Sequence, residues 1–163
     1  MEDRPAAQGC AGADRPAETL TAVEQRLTLL TLGVRDLGRS IAFYEGLGWR
    51  RSVRAAEGVA FFQLGGIALS LYPVDNLVAD LGRPLPAPGH AAITIAHNCR
   101  TRAEVDAVLA LFAQAGGEIV RAGHAMDWGG YCGFAADPDG HLWEIAWNPG
   151  FALDEAGGVK LPD

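Results

Sequence analysis

No run of about 20 apolar residues, the length a membrane-spanning helix needs, occurs in this 163-residue sequence. The opening stretch, MEDRPAAQGCAGADRPAETL, places acids and prolines where a signal peptide requires an apolar core. Basic clusters are also missing. With a formal net charge of −7 and no Lys/Arg patch to neutralise phosphates, nucleic acid is not an expected partner. Cysteine is scarce: Cys10, Cys99 and Cys132 are odd in number and show no CxxC spacing. That argues against a disulfide framework and for a reducing, cytoplasmic setting. Neither a GxGxxG nor a P-loop pattern is present, and no GxSxG elbow offers a serine nucleophile.

What is present is a pattern stated twice. LLTLGVRDLGRSIAFYEGLGW and HAAITIAHNCRTRAEVDAVLALFAQAGGEIV each run from an apolar strand through an amphipathic helix to a glycine stop. In the first unit a strand is predicted at about Leu27 to Val34, and Asp36 offers an N-cap. Leu37, Ile41, Tyr44 and Leu47 then recur at helical spacing. Short strands follow at about 49–54, 59–63 and 67–72, separated by Glu57-Gly58 and Gly65-Gly66. In the second unit a strand is predicted at His90–Ala96. Thr101 and Glu104 form a capping box ahead of Val105, Val108, Leu109 and Phe112. Strands at about 118–122, 131–135 and 141–147 complete it, the last two joined by the turn Asp137-Pro138-Asp139-Gly140.

The predicted organisation is a flexible tail over residues 1–24, one domain over 25–149 and a C-terminal extension over 150–163 that Phe151 and Leu153 would pin to the body. Within the domain, module one covers 25–73, a Pro/Gly-rich connector covers 74–89 and module two covers 90–149. Each module reads βαβββ, and neither covers its sheet alone, so the two must stack. The fold class is α+β, two βαβββ modules forming a cupped mixed sheet.

TLGVRDLGRSIAFYEGLGW together with DPDGHLWEI resembles the vicinal oxygen chelate superfamily: glyoxalases, extradiol dioxygenases and bleomycin-resistance-type binding proteins. The similarity spans about residues 27–149 and implies the glyoxalase/bleomycin resistance/dihydroxybiphenyl dioxygenase fold and a homodimer. It does not choose an activity, because the scaffold hosts lyases, oxygenases, isomerases and plain binders. Metal-dependent members place ligands early in the first strand and within the last strand of each module. By spacing, the corresponding positions here are Leu29, Ser70, His90 and Glu144. Leu29 cannot ligate, and Ser70 is a poor neutral ligand. A catalytic zinc usually takes three protein ligands, and a non-haem iron triad takes two His and one carboxylate. One His and one Glu fall short of either, unless His97, His124 or Asp127 enters the cup.

Glu144 lies between Trp143 and Ile145 in an apolar strand, so it must be paired, protonated or facing a wet pocket. In an apolar pocket, desolvation would raise its pKa towards the range of a general base, with His90 to orient it. Tyr72 shares the parity of Ser70 and is a further candidate for the cup. Trp128 and Tyr131, around Gly129-Gly130, form a hinged aromatic segment suited to capping a planar ligand. Trp143 and Trp147, on the opposite parity to Glu144, are assigned to the layer away from the cup. Arg50, Arg51 and Arg54 read as a solvated edge. The first expectation is therefore a binding module for a small apolar or aromatic molecule, with no metal or other cofactor. A divalent-metal lyase or dioxygenase is the alternative, and a metal-free isomerase using Glu144 as base is the third.

Overall fold

The computed structural model describes residues 25–87 and 90–161; the tail expected over 1–24 lies outside them. Period-two alternation decides how the first module builds. Leu30, Leu32 and Val34 share one side of β1 (Leu29–Val34) and pack into the core, leaving Leu29, Thr31 and Gly33 on the other. Asp36 then caps α1 (Leu37–Gly46), accepting a hydrogen bond from Arg39 N at 2.9 Å. β2 (Arg51–Ser52), β3 (Ala60–Leu64) and β4 (Ile67–Pro73) follow. They form a four-stranded sheet in the order β1-β4-β3-β2, with β1 and β4 parallel. Arg51 is not a solvated edge residue as expected: its guanidinium donates to the Ala56 and Val59 carbonyls (2.9 and 3.2 Å) and holds the β2–β3 turn.

The connector is not structureless. It opens with α2 (Val74–Leu81), ended by Gly82 in the left-handed region (φ 65°), where a side chain would be strained. α2 lies over β1, and a Cβ added at Gly33 would meet Leu77 and Val74 at 3.3 and 3.4 Å. The second module repeats the first: β5 (Ile95–Asn98), α3 (Arg102–Gln114), β6 (Glu118–Ala125), β7 (Tyr131–Ala136) and β8 (Leu142–Trp147), in the order β5-β8-β7-β6. The strand expected over His90–Ala96 starts only at Ile95, and His90 is exposed in the connector, its N–H closing a turn onto Ala87 O at 3.1 Å. Thr101 caps α3 by accepting from Glu104 N (3.1 Å), and Glu104 Oε2 accepts from Arg100 N (2.6 Å).

The extension forms a small hairpin, β9 (Ala152–Leu153) with β10 (Val159–Lys160). Arg100 ties it to the body by donating to the Asp154 and Glu155 carbonyls, while Phe151 is 38% exposed and Leu153 is half-buried.

One aromatic core serves both sheets. Tyr44 packs on Phe62 of β3 and Trp143 of β8 (ring centroids 5.8 and 6.2 Å), and Trp49 packs on the same two rings. Trp143 is thus buried away from Glu144, as its parity implied. The two motifs that carry the family resemblance are bonded to each other. Tyr44 Oη donates to Asp137 Oδ2 at 2.8 Å. Asp139 accepts Ser40 Oγ (2.6 Å), Arg35 N (3.0 Å), Arg35 Nε (3.3 Å) and Arg39 Nη2 (2.9 Å). His141 Nε2 donates to Gly33 O at 2.9 Å, tying the start of β8 to the end of β1.

Candidate functional site

The strand registers test the spacing argument directly. In module one Ser70 pairs with Thr31, and in module two Glu144 pairs with Ala96. Thr31 lies five residues before the cap Asp36, and Ala96 lies five before the cap Thr101, so the modules superpose Ser70 on Glu144. Leu29, two residues before Thr31, therefore corresponds to Thr94 and not to His90. Spacing from the end of the apolar run points to His90, whereas counting seven back from each helix cap gives Thr94. The four positions hold Leu29, Ser70, Thr94 and Glu144, a set with one carboxylate, two hydroxyls and a hydrocarbon.

Ser70 and Glu144 project from the sheet faces opposite the shared core, since Leu69, Leu71, Trp143 and Ile145 fill that core. Ser70 is buried between Thr31 and Phe61. Glu144 is half-buried between Ala96 and Phe134, and its carboxylate makes no hydrogen bond or ion pair with any described residue. Its charge reaches Cys132 on the same face: burial first, then Glu144, pushes that thiol up, with Arg121 opposing. His124, opposite Cys132 across β6 and β7, also shares this face. Its Nδ1–H donates to Ala122 O at 3.0 Å, which leaves a buried Nε2 without a partner among the described residues.

The other named residues are dispersed. Leu29 is 42% exposed on the outer face of β1. Tyr72 Oη donates to Asp80 of α2 at 3.1 Å, which holds its hydroxyl above the ordinary value. Tyr131 is not a cap over the sheet. It starts β7 on the helix side, its Oη donates to Asp106 of α3 at 2.9 Å, and Arg102 sits over its ring. Trp128 is exposed, and its ring lies against Gly130 of its own turn. His97 points to the helix side of β5, and Asp127 is exposed beside Trp128, so neither joins Glu144. Among the described residues no three His, Cys, Asp or Glu side chains lie close enough to hold a metal ion.

Sequence reasoning missed the concavity beside these positions. A groove of about 220 Å³ runs along the unpaired edge of β1. Leu30, Leu32, Val74, Leu77, Ile93 and Ile95 supply much of its aliphatic wall. It abuts both half-sites, because Thr31 is the partner of Ser70 and Leu142 lies two residues before Glu144 on the same face; both line the groove. The available signal was Val74, Leu77, Val78 and Leu81 at helical spacing.

Paired βαβββ modules locked through an α1 and DPDG clasp define the class. The sequence matches the Glyoxalase/Bleomycin resistance protein/Dioxygenase superfamily over residues 26–145, and the chain belongs to that family. A glyoxalase-related enzyme from Fulvimarina pelagi is similar at 36% identity and a TM-score of 0.79, over 85% of this chain and 99% of that one. A glyoxalase/bleomycin resistance protein/dioxygenase from Nocardioides is similar at 24% identity and a TM-score of 0.65, over 78% and 86% of the two chains. A lactoylglutathione lyase from Agrobacterium tumefaciens is similar at 22% identity and a TM-score of 0.57, over 76% and 94%. The last two bear on the fold alone. No curated protein matches the sequence. Among the described residues no helix is long and apolar enough to cross a membrane.

Proposed function

We propose that this family member binds a small apolar or aromatic molecule without a metal. The observation that carries the reading is the donor set: at the four positions where the resemblance expects ligands, only Glu144 is a strong donor. A divalent ion held by one carboxylate and two neutral hydroxyls lacks the coordination of a catalytic zinc or non-haem iron site. The groove beside β1 supports the binding reading, since at about 220 Å³ it exceeds the ~150 Å³ that accepts benzene in an apolar cavity. Thr31 supplies a polar contact in the lining, and Glu144 stands two residues beyond Leu142 on the same strand face.

Titration with 1-anilinonaphthalene-8-sulfonate tests this. The expected result is saturable fluorescence enhancement, weakened about tenfold by Leu77→Trp, which fills the groove. Enhancement unaffected by that substitution would place the ligand elsewhere.

A second reading has one observation in its favour. Glu144 is a half-buried carboxylate with no hydrogen-bond or ion-pair partner among the described residues, as a base awaiting a substrate proton would be. His90 lies in the connector, outside β5. Glu144→Gln then abolishes turnover of a substrate while sparing its affinity; persistent turnover removes the reading. In either case the proposed assembly is a homodimer, because the outer faces expose Leu29, Phe61, Phe134 and Leu142 in part and the edges of β1 and β5 are unpaired within their sheets; the proposed cytoplasmic setting rests on the scarce cysteines without CxxC spacing.

A further inference from the structure

On the helix side of β5, behind the strand pair that carries Glu144, lies a separate cleft of about 140 Å³. Its walls are the rings of Trp49, Phe112 and Trp143, a density of aromatic surface suited to edge and face contacts with another ring. Leu47, Val108 and Leu111 complete the apolar lining, and Leu111 is 41% exposed beside it. One titratable side chain, His97, stands in the lining. Its imidazole makes no hydrogen bond or ion pair with any described residue, although Asn98 and Cys99 beside it are drawn into the sheet. Desolvation lowers its pKa, with Glu104 opposing, which favours the neutral ring that donates from one nitrogen and accepts at the other. The volume is close to the ~150 Å³ apolar cavity that holds benzene, so the occupant is one ring and not a fused system.

We propose that this cleft is a second ligand site, independent of the groove at β1, and that it takes a single-ring aromatic molecule bearing a hydroxyl, the ring between Trp49, Phe112 and Trp143 and the hydroxyl on His97.

Phenol is the probe, with toluene as the same ring lacking the hydroxyl, followed by the methyl NMR signals of Val108 and Leu111 in the full chain. Phenol should shift both signals saturably with a dissociation constant at or below about 5 mM. Toluene should bind about fivefold more weakly, the effect of one lost hydrogen bond, and His97→Leu should erase the preference. Leu111→Trp, at a partly exposed position, should fill the cleft and abolish the shift at Val108. Non-saturable shifts, equal affinity for toluene, or phenol binding that survives Leu111→Trp would each overturn the proposal. So would sedimentation showing that Leu111→Trp converts a dimer to a monomer, because the cleft would then belong to a second copy of the chain.

Discussion

Asp139 shows how much of the residue-level signal is structural. Its side chain is 1% exposed, yet it is fully served by Ser40, Arg35 and Arg39. Burial alone would raise its pKa. The bonds from Ser40 and from the backbone and side chain of Arg35, with the charge of Arg39, more than offset that and hold the carboxyl below the usual range. Asp139→Asn is expected to destabilise the fold by about 2–4 kcal/mol, read from urea unfolding at pH 7. The pH sign follows from the depression. Between the folded and unfolded values the unfolded chain binds the extra proton, so stability rises with pH there. Asp139 thus contributes fully above about pH 4, near the ordinary Asp value, and its contribution fades as pH falls through the lower folded value. The wild type should lose stability more steeply than Asp139→Asn below about pH 4; parallel slopes would show that Asp139 carries no such linkage. DPDG is therefore legible because it clasps α1, which explains why the motif announces a fold and leaves chemistry open. Glu144 was legible as an anomaly in an apolar strand. Thr94 was hidden because a hydroxyl in a run of small residues carries no signal until the helix caps fix the register.

At the scale of elements, both helix caps and the β3, β4, β7 and β8 strands lie close to where alternation and turn residues put them. The strand start at His90 failed because Ala91, Ala92 and Ile93 are apolar without being paired; they belong to the connector, and Ala91 and Ile93 line the groove. α2 was hidden among prolines. Eight residues are too few to be helical alone, and this helix is held by Leu77 and Val74 against Gly33, by the Tyr72–Asp80 bond and by its Gly82 stop. Tyr72→Phe should therefore speed amide exchange across Val74–Leu81 and leave β7 and β8 unchanged. Packing between elements makes a second demand at Gly117, where a Cβ would lie 2.6 Å from Ala136 O and 2.9 Å from the Phe43 ring. Gly117→Ala should cost about 1–3 kcal/mol by forcing α1 and β7 apart, measured as a lowered urea midpoint with an unchanged slope.

For the whole molecule, two copies of one unit share an aromatic core and turn their Ser70 and Glu144 faces away from it. Duplication made this architecture readable from hydrophobic period alone. It could not reveal the groove, which is made by α2, the connector and the β1 edge, the parts in which the two modules differ. The same duplication gives four matched positions, and recombining them across two identical chains only reshuffles Leu29, Ser70, Thr94 and Glu144. Metal stoichiometry tests this most directly: dialysis of the full chain against zinc, nickel, manganese or ferrous iron, followed by elemental analysis. The result expected is less than about a tenth of an equivalent bound per chain, with no change on Glu144→Gln. About half an equivalent or more, lost when Glu144 becomes Gln, would contradict metal-independent binding.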